Sequence, residues 1–336
     1  FPVDLTADVA RERNLTIDMP GFEAEMTKQR DRARSAGDFK TTQKGVDISD
    51  ATEFLGYEQL ENSSSVQALI KDGELVDSID AGDNAIIVLA QSSFYGESGG
   101  QVGDSGLLSN VDVKFDVNNT QKQKSGAFEH HGVLNSGILK VSDVVSASVD
   151  KNRRKRIARN HSATHLLHAA LRTVLGETVT QKGSLVDGDK LRFDFSHDEV
   201  ISKADIDKIE GMVNRKILGN TIVHTDVTDI KTAKKNGAMA LFGEKYGNTV
   251  RVLTMGKDDF SVELCGGTHV NQLGDIGLFR ITSEGGIAAG VRRIEAMSGY
   301  DAYQFDKQTE DSLSEIAQMT KSNNAQAVEK VAQLIK

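Results

Sequence analysis

The sequence carries four side chains suited to a single metal ion, but in two stretches about a hundred residues apart. Any fold it adopts must therefore carry the chain from residue 161 back to the same place at residue 265. In His161-Ser162-Ala163-Thr164-His165 the histidines stand at i and i+4, so on a helix both imidazoles leave one face about a turn apart. In Cys265-Gly266-Gly267-Thr268-His269 the only cysteine of the chain precedes another histidine by four positions. Taken singly, a His-x3-His pair is a common coincidence and a lone cysteine a small buried hydrophobe. Three imidazoles and one thiolate together suit tetrahedral Zn²⁺ and predict one bound ion. A zinc peptidase is disfavoured, because its general-base glutamate would stand where Ser162 does.

With 336 residues, 38% hydrophobic and 26% charged, the composition is that of a globular protein of two or three domains. A single cysteine excludes an internal disulfide and fits a reducing, cytoplasmic setting. No stretch reaches the roughly 20 apolar residues that would span a bilayer, so no membrane partner is expected. The chain opens at Phe1 without an initiator methionine or a secretory pattern, and is expected to be a piece of a longer protein. A net charge of −9 excludes a uniformly basic surface but not a local one. The run from Lys151 through Arg153, Arg154, Lys155 and Arg156 to Arg159 leads straight into His161. It is either the solvated face of a helix or a contact for a phosphate backbone. Aromatic residues are few, with no Trp and five Tyr, so backbone contact is expected rather than an array of base-stacking platforms.

Four regions follow from the patterning. Residues 1–38 carry two helical patterns. Residues 39–148 alternate short apolar runs, such as 85–89, 111–115 and 144–149, with turn residues, as in a small antiparallel β-barrel. Inside this region lies a glycine-rich loop, Gly99 to Gly106, either a barrel-corner hairpin or a place of close backbone approach. Residues 149–300 read as an α+β layered core. It has helices over 152–175 and 203–218, strands over 191–195, 223–227, 250–255 and 261–264, and Cys265 at the end of the last strand. Residues 301–336 are helical, broken at Ser322-Asn323-Asn324.

In this order the motifs resemble those of bacterial alanyl-tRNA synthetases, essentially end to end. Phe1–Arg13 resembles the exit from the family's tRNA-recognition region, and Phe94–Gly106 its barrel motif. Asn160–Arg172, Gln181–Val186, Leu191–His197, Gly237–Tyr246, Cys265–His269 and Gly274–Glu295 resemble its editing core. The resemblance implies a zinc-containing editing domain that deacylates Ser-tRNA(Ala) and Gly-tRNA(Ala), with His161, His165, Cys265 and His269 as the metal set. It implies that Thr164 reads the serine hydroxyl, that Gln181 orients water or the ester carbonyl, and that Arg292 neutralises a phosphate or the developing oxyanion. Lys151, Arg153, Arg154, Arg156 and Arg159 are the expected contacts to the tRNA(Ala) acceptor end. The region from 301 on is the expected start of a helical, oligomer-forming segment. The aminoacylation core is expected before Phe1, so ATP-dependent charging is not assigned to this chain. The alternative is a non-catalytic, zinc-stabilised module that positions tRNA.

Overall fold

The structure, a computed structural model, describes residues 48–235, 237–239 and 247–335, with isolated positions before 48. Most of the helical reading of 1–38, and residues 240–246 of the Gly237–Tyr246 motif, lie outside the described residues. The chain divides into two compact units, Phe1–Val46 and Asp47–Lys336; the elements below all lie in the second.

Strands β1 (Glu61–Lys71), β2 (Asn84–Leu89), β3 (Gly106–Ser109), β4 (Lys114–Lys122), β5 (Phe128–Ser136) and β6 (Val144–Val149) close into the expected antiparallel barrel, in the ring order β1-β2-β5-β4-β3-β6-β1. Strand β4 shows why. Phe115 and Val117 are buried while Lys114, Asp116 and Asn118 face water, the period of two that a barrel wall requires. Leu69, Ile87, Phe94, Leu108 and Leu134 complete the interior. One expected strand, 111–115, is corrected. Val111 is 99% exposed at the β3–β4 hairpin tip, where the Asn110 side chain accepts bonds from the Asp112 and Val113 amides. Turn chemistry overrides apolar alternation there.

The barrel also contains a buried titratable group. His130 donates from Nδ1 to the Ile87 carbonyl at 2.9 Å, so its Nε2 accepts from the Ser92 hydroxyl at 2.7 Å. Burial pushes its pKa down to about 4 from 6.5, and the ring is held neutral. A base depressed in the folded state contributes stability in full above pH 6.5 and loses it as the pH falls through about 4. The expected loss is about 3 kcal/mol. Urea unfolding between pH 7 and 4 should show this fall, and His130→Asn should flatten that part of it.

The barrel runs into helix α1 (Lys151–Leu175) without a linker, for Asp150 caps the helix by accepting from the Asn152 and Arg153 amides at 3.0 Å each. A four-stranded antiparallel sheet follows, in the order β7-β8-β13-β12, from β7 (Gln181–Val186), β8 (Leu191–Ser196), β12 (Phe279–Ala288) and β13 (Val291–Ser298). Helix α2 (Lys203–Leu218) and α1 share a core with this sheet, built on Leu167, Leu171, Phe193, Phe195, Ile209, Val213 and Ile294. A three-stranded sheet of β9 (His224–Asp229), β10 (Thr249–Met255) and β11 (Ser261–Leu264) carries helix α3 (Ile230–Lys235) in its first connection. Helices α4 (Gly299–Met319) and α5 (Ala327–Ile335) end the chain, parted at the expected break.

Two of the contacts between the barrel and the rest explain residues singled out from the sequence. The glycine-rich loop lies along β7: the Val186 amide donates to the Gly100 carbonyl at 2.7 Å, and the Val102 amide to the Val186 carbonyl at 3.1 Å. Gly100 has φ +83°, and a Cβ there would stand 2.6 Å from the Ser184 carbonyl oxygen, so close approach rather than a plain corner explains the glycine. The second contact is Arg154. Its buried guanidinium grips Asp104 from Nε at 2.9 and 3.1 Å and from Nη2, and also donates to the carbonyls of Gly56 and Ser93 at 2.8 Å each.

Candidate metal centre

Helix α1 and the loop after β11 supply the two halves of the site. On α1, residues 161, 164, 165 and 168 follow i, i+3, i+4, i+7, one stripe of the helix, and all four line a single cavity of about 460 Å³. Its other walls come from the barrel, the β7 edge and the 265–267 loop, with Tyr95, Gln181 and Gly266 among them. The ligand atoms of His161, His165, Cys265 and His269 all lie within 4.8 Å of one another. Cys265 Sγ is 3.5 Å from His161 Nε2 and 3.2 Å from His269 Nε2. Gly267 allows this: a Cβ there would stand 2.1 Å from His161 Cε1, so the loop passes the ring only as glycine. Gly266 has room, its nearest neighbour being the Tyr57 hydroxyl at 3.9 Å.

Every outer imidazole nitrogen of the set is held from behind. His161 Nδ1 donates to Gln101 Oε1 at 2.7 Å, His165 Nδ1 faces Glu263 Oε2 at 2.8 Å, and His269 Nδ1 faces Ser162 Oγ at 3.3 Å. Such partners fix ring orientation and leave Nε2 free for an ion. The buried His165 Nε2 makes no hydrogen bond, an unmet group that a metal would satisfy. Burial opposes a thiolate at Cys265, yet the imidazoles of His161, His269 and His165 hold its pKa well below the usual thiol range. Burial also opposes charge on His165, but Glu263 and Cys265 raise it to about 10. The site thus favours a thiolate beside a proton, and a cation entering it would replace that proton. The donor set and its orientation fit a metal ion.

The remaining expected residues are placed unevenly. Thr164 is buried on the cavity stripe and donates its hydroxyl to the Asn160 carbonyl at 2.8 Å, leaving its lone pairs to accept. Gln181 lines the cavity from the start of β7. Arg292 does not line it; on β13 it forms a two-point pair with Glu284, at 2.5 and 3.0 Å. In the basic run, Lys151 pairs with Glu61 at 2.8 Å, and Arg153 donates to the Gly103 carbonyl at 2.7 Å. Arg156 pairs with Asp301 and Asp189, and Arg159 donates to the Asp275 carbonyl at 2.8 Å. Arg154 is interior, which removes it from the surface cations expected to face a phosphate.

Two residues at the centre went unread from sequence, Gln101 and Glu263. Glu263 had a signal, since alternation along β11 puts Ser261, Glu263 and Cys265 on one face. Gln101 had none beyond its glycine neighbours. Its Oε1 also accepts from the Thr268 amide, and its Nε2 donates to the Thr268 hydroxyl, both at 2.9 Å. Gln101→Ala should weaken metal affinity about 10- to 100-fold with the fold intact, as competition with a chromogenic chelator would measure. Few as they are, aromatic rings gather at the cavity. Phe54 gathers Tyr57, Tyr95 and Phe128 around itself at centroid distances of 4.8, 6.0 and 5.7 Å, all four rings on the cavity wall.

The family profile described as tRNA synthetases class II (A) matches residues 1–153, and that of the threonyl and alanyl tRNA synthetase second additional domain matches residues 250–295. The whole chain is 76% identical to an alanine–tRNA ligase of Ruthia magnifica subsp. Calyptogena magnifica. Over the same 336 residues it is 71% identical to that of Vesicomyosocius okutanii subsp. Calyptogena okutanii and 54% to that of Pseudomonas entomophila. The chain belongs to the alanyl-tRNA synthetase family. It spans 39, 39 and 38% of the length of those three relatives. The class II profile covers residues 1–153 and so includes the whole barrel. The second profile covers Cys265–His269, β12 and the first part of β13, to Glu295. Among the described residues no helix is long and apolar enough to cross a membrane.

Proposed function

We propose that the cavity is an editing site, in the cytoplasm, that hydrolyses Ser-tRNA(Ala) and Gly-tRNA(Ala). The observation that carries this reading is the convergence of three imidazoles and a thiolate at the wall of a cavity lined by His161, His165 and Cys265 of that set together with Thr164 and Gln181. A pocket built for alanine cannot strongly reject glycine, which is smaller, or serine, which adds a hydroxyl, so a second, hydrolytic site is the remedy. Water attacks the ester carbonyl carbon, the bond from that carbon to the ribose oxygen breaks, and the ribose oxygen takes up a proton. Zinc held by His161, His165, Cys265 and His269 would supply Lewis acidity toward the ester. Thr164 accepts the hydrogen of the serine hydroxyl, and Gln181 orients the water or the carbonyl. Arg292, which stands off the cavity on β13, exchanges Glu284 for a phosphate of the acceptor end. Lys151, Arg153, Arg156 and Arg159 exchange their carboxylate and carbonyl partners for the backbone of the acceptor end. The four regions read from sequence serve as tRNA-recognition end, barrel, layered editing core and start of a homo-oligomerising helical segment.

The test is release of serine from Ser-tRNA(Ala) by this chain, with and without a zinc chelator. Metal-dependent release selective for serine over alanine supports the reading. Intact tRNA binding without release supports the second reading, a zinc-stabilised positioning module. That reading is favoured by one observation: four protein donors fill a tetrahedral shell, whereas catalytic zinc keeps a position open. Within the editing reading, Thr164→Val should reduce the preference for seryl over alanyl ester about 10-fold or more at unchanged metal content. Paired single-turnover rates on the two esters measure it, and an unchanged ratio removes Thr164 as the reader of the hydroxyl.

A further inference from the structure

One side chain of the cavity stripe has no part in the scheme above. His168 stands one turn beyond the second metal ligand, at the i+7 position, and lines the cavity with the rest. It is 1% exposed. Its Nδ1 lies 3.0 Å from Glu263 Oε1, while the other oxygen of that carboxylate holds His165. The ring packs on Phe193 at a centroid distance of 5.1 Å. Orientation is therefore fixed from two sides, as it is for the metal ligands. Yet His168 is not one of the four clustered ligands, and its buried Nε2 makes no hydrogen bond. A buried polar atom left unmet costs free energy, and a fixed one on a cavity wall marks the place of a ligand group.

The chemistry of the surroundings selects that group. With Nδ1–H donated to Glu263, Nε2 is left to accept, so the ligand group is a donor. The carboxylate behind the ring makes this end of the cavity favourable to positive charge. Thr164 is the neighbour on the same stripe, one turn back, and is already occupied by the serine hydroxyl. An aminoacyl ester has one cationic donor, its α-ammonium.

We infer that His168 is a substrate-binding residue of this site, its Nε2 accepting a hydrogen bond from the α-ammonium of the aminoacyl ester. The inference rests on the editing reading and adds to it the recognition of a free amine. Every substrate of such a site carries that amine, whatever its side chain. His168 therefore admits aminoacyl esters as a class, while Thr164 separates serine from alanine within the class.

The experiment compares Ser-tRNA(Ala) with the same tRNA carrying a 3-hydroxypropionyl ester, which is serine without its amine. The chain as it stands should cleave the seryl ester with kcat/KM about 10- to 100-fold higher. His168→Phe, which fills the same volume, should bring the two esters to nearly equal rates by slowing only the seryl one, at unchanged metal content. His168→Gln, whose amide reaches a similar point, should retain part of the preference, and it decides the matter if the Phe variant does not fold. An amine preference unchanged in both variants overturns the inference. So does an equal loss on both esters, which would mark His168 as acting on water or on the fold. If the unsubstituted chain cleaves neither ester, the editing reading itself has failed.

Discussion

Replacing Cys265 with alanine should strip the chain of bound metal and lower release of serine from Ser-tRNA(Ala) by about 100-fold or more. Cys265 is the hub of the site, in contact with Nε2 of both His161 and His269, and the only anionic donor among the four. Without it the donors would be three imidazoles alone, with no anionic donor to offset a dication. His165 would also lose one of the two anions that sustain its proton. Metal analysis by mass spectrometry beside the deacylation rate decides the point. If both metal and rate persist, the ligand assignment is wrong. If the metal is lost while a substantial rate survives, the ion only organises the pocket. Cys265→Ser is the companion variant, since it keeps the shape but not the soft thiolate, and it should bind the ion weakly.

Arg154→Ala should destabilise the chain by about 3–5 kcal/mol, the largest effect expected from any residue of the basic run. The guanidinium is enclosed, and its removal leaves the carboxylate of Asp104, itself 1% exposed, unpaired. The carbonyls of Gly56 and Ser93 lose their donor in the same step. The neighbouring ion pairs of Lys151 and Arg156 reach into solvent, and each should be worth about 1 kcal/mol or less. Denaturant midpoints across the series test the ranking. Changing Arg154 and Asp104 together to apolar residues should recover much of the loss, because the cost lies in the stranded charge. A small effect for Arg154→Ala would mean that water enters the seam and solvates Asp104.

What was readable from residue order follows from the range of each interaction. The helix over 152–175, the helix over 203–218 and the strand over 261–264 reappear because capping, periodicity and terminal glycines act within a few residues. The convergence of His161, His165, Cys265 and His269 was readable because such donors are rare and their spacing is local within each half. The β12–β13 hairpin was not, because Gly285 and Gly286 interrupt its alternation while its register is set by β8. Arg154 looked like one cation among six. Only the fold distinguishes it, since its three partners, Asp104, Ser93 and Gly56, lie between 50 and 98 residues away. Gln101 has the same difficulty: a polar side chain in a loop becomes the support of His161 across 60 residues.

The pairing of Gly100 and Val102 with Val186 has a consequence away from the chemistry. Strand β7 is an outer strand of its sheet, and an outer strand offers unpaired amides and carbonyls to any extended segment that passes. Here the loop from the barrel has taken up that offer at Val186, where amide and carbonyl are both bonded. Because the joint is made by main-chain atoms, it protects this part of the sheet from other chains whatever side chains the strand carries. The loop that brings Gln101 to the candidate metal centre thereby also covers the edge of β7 at Val186.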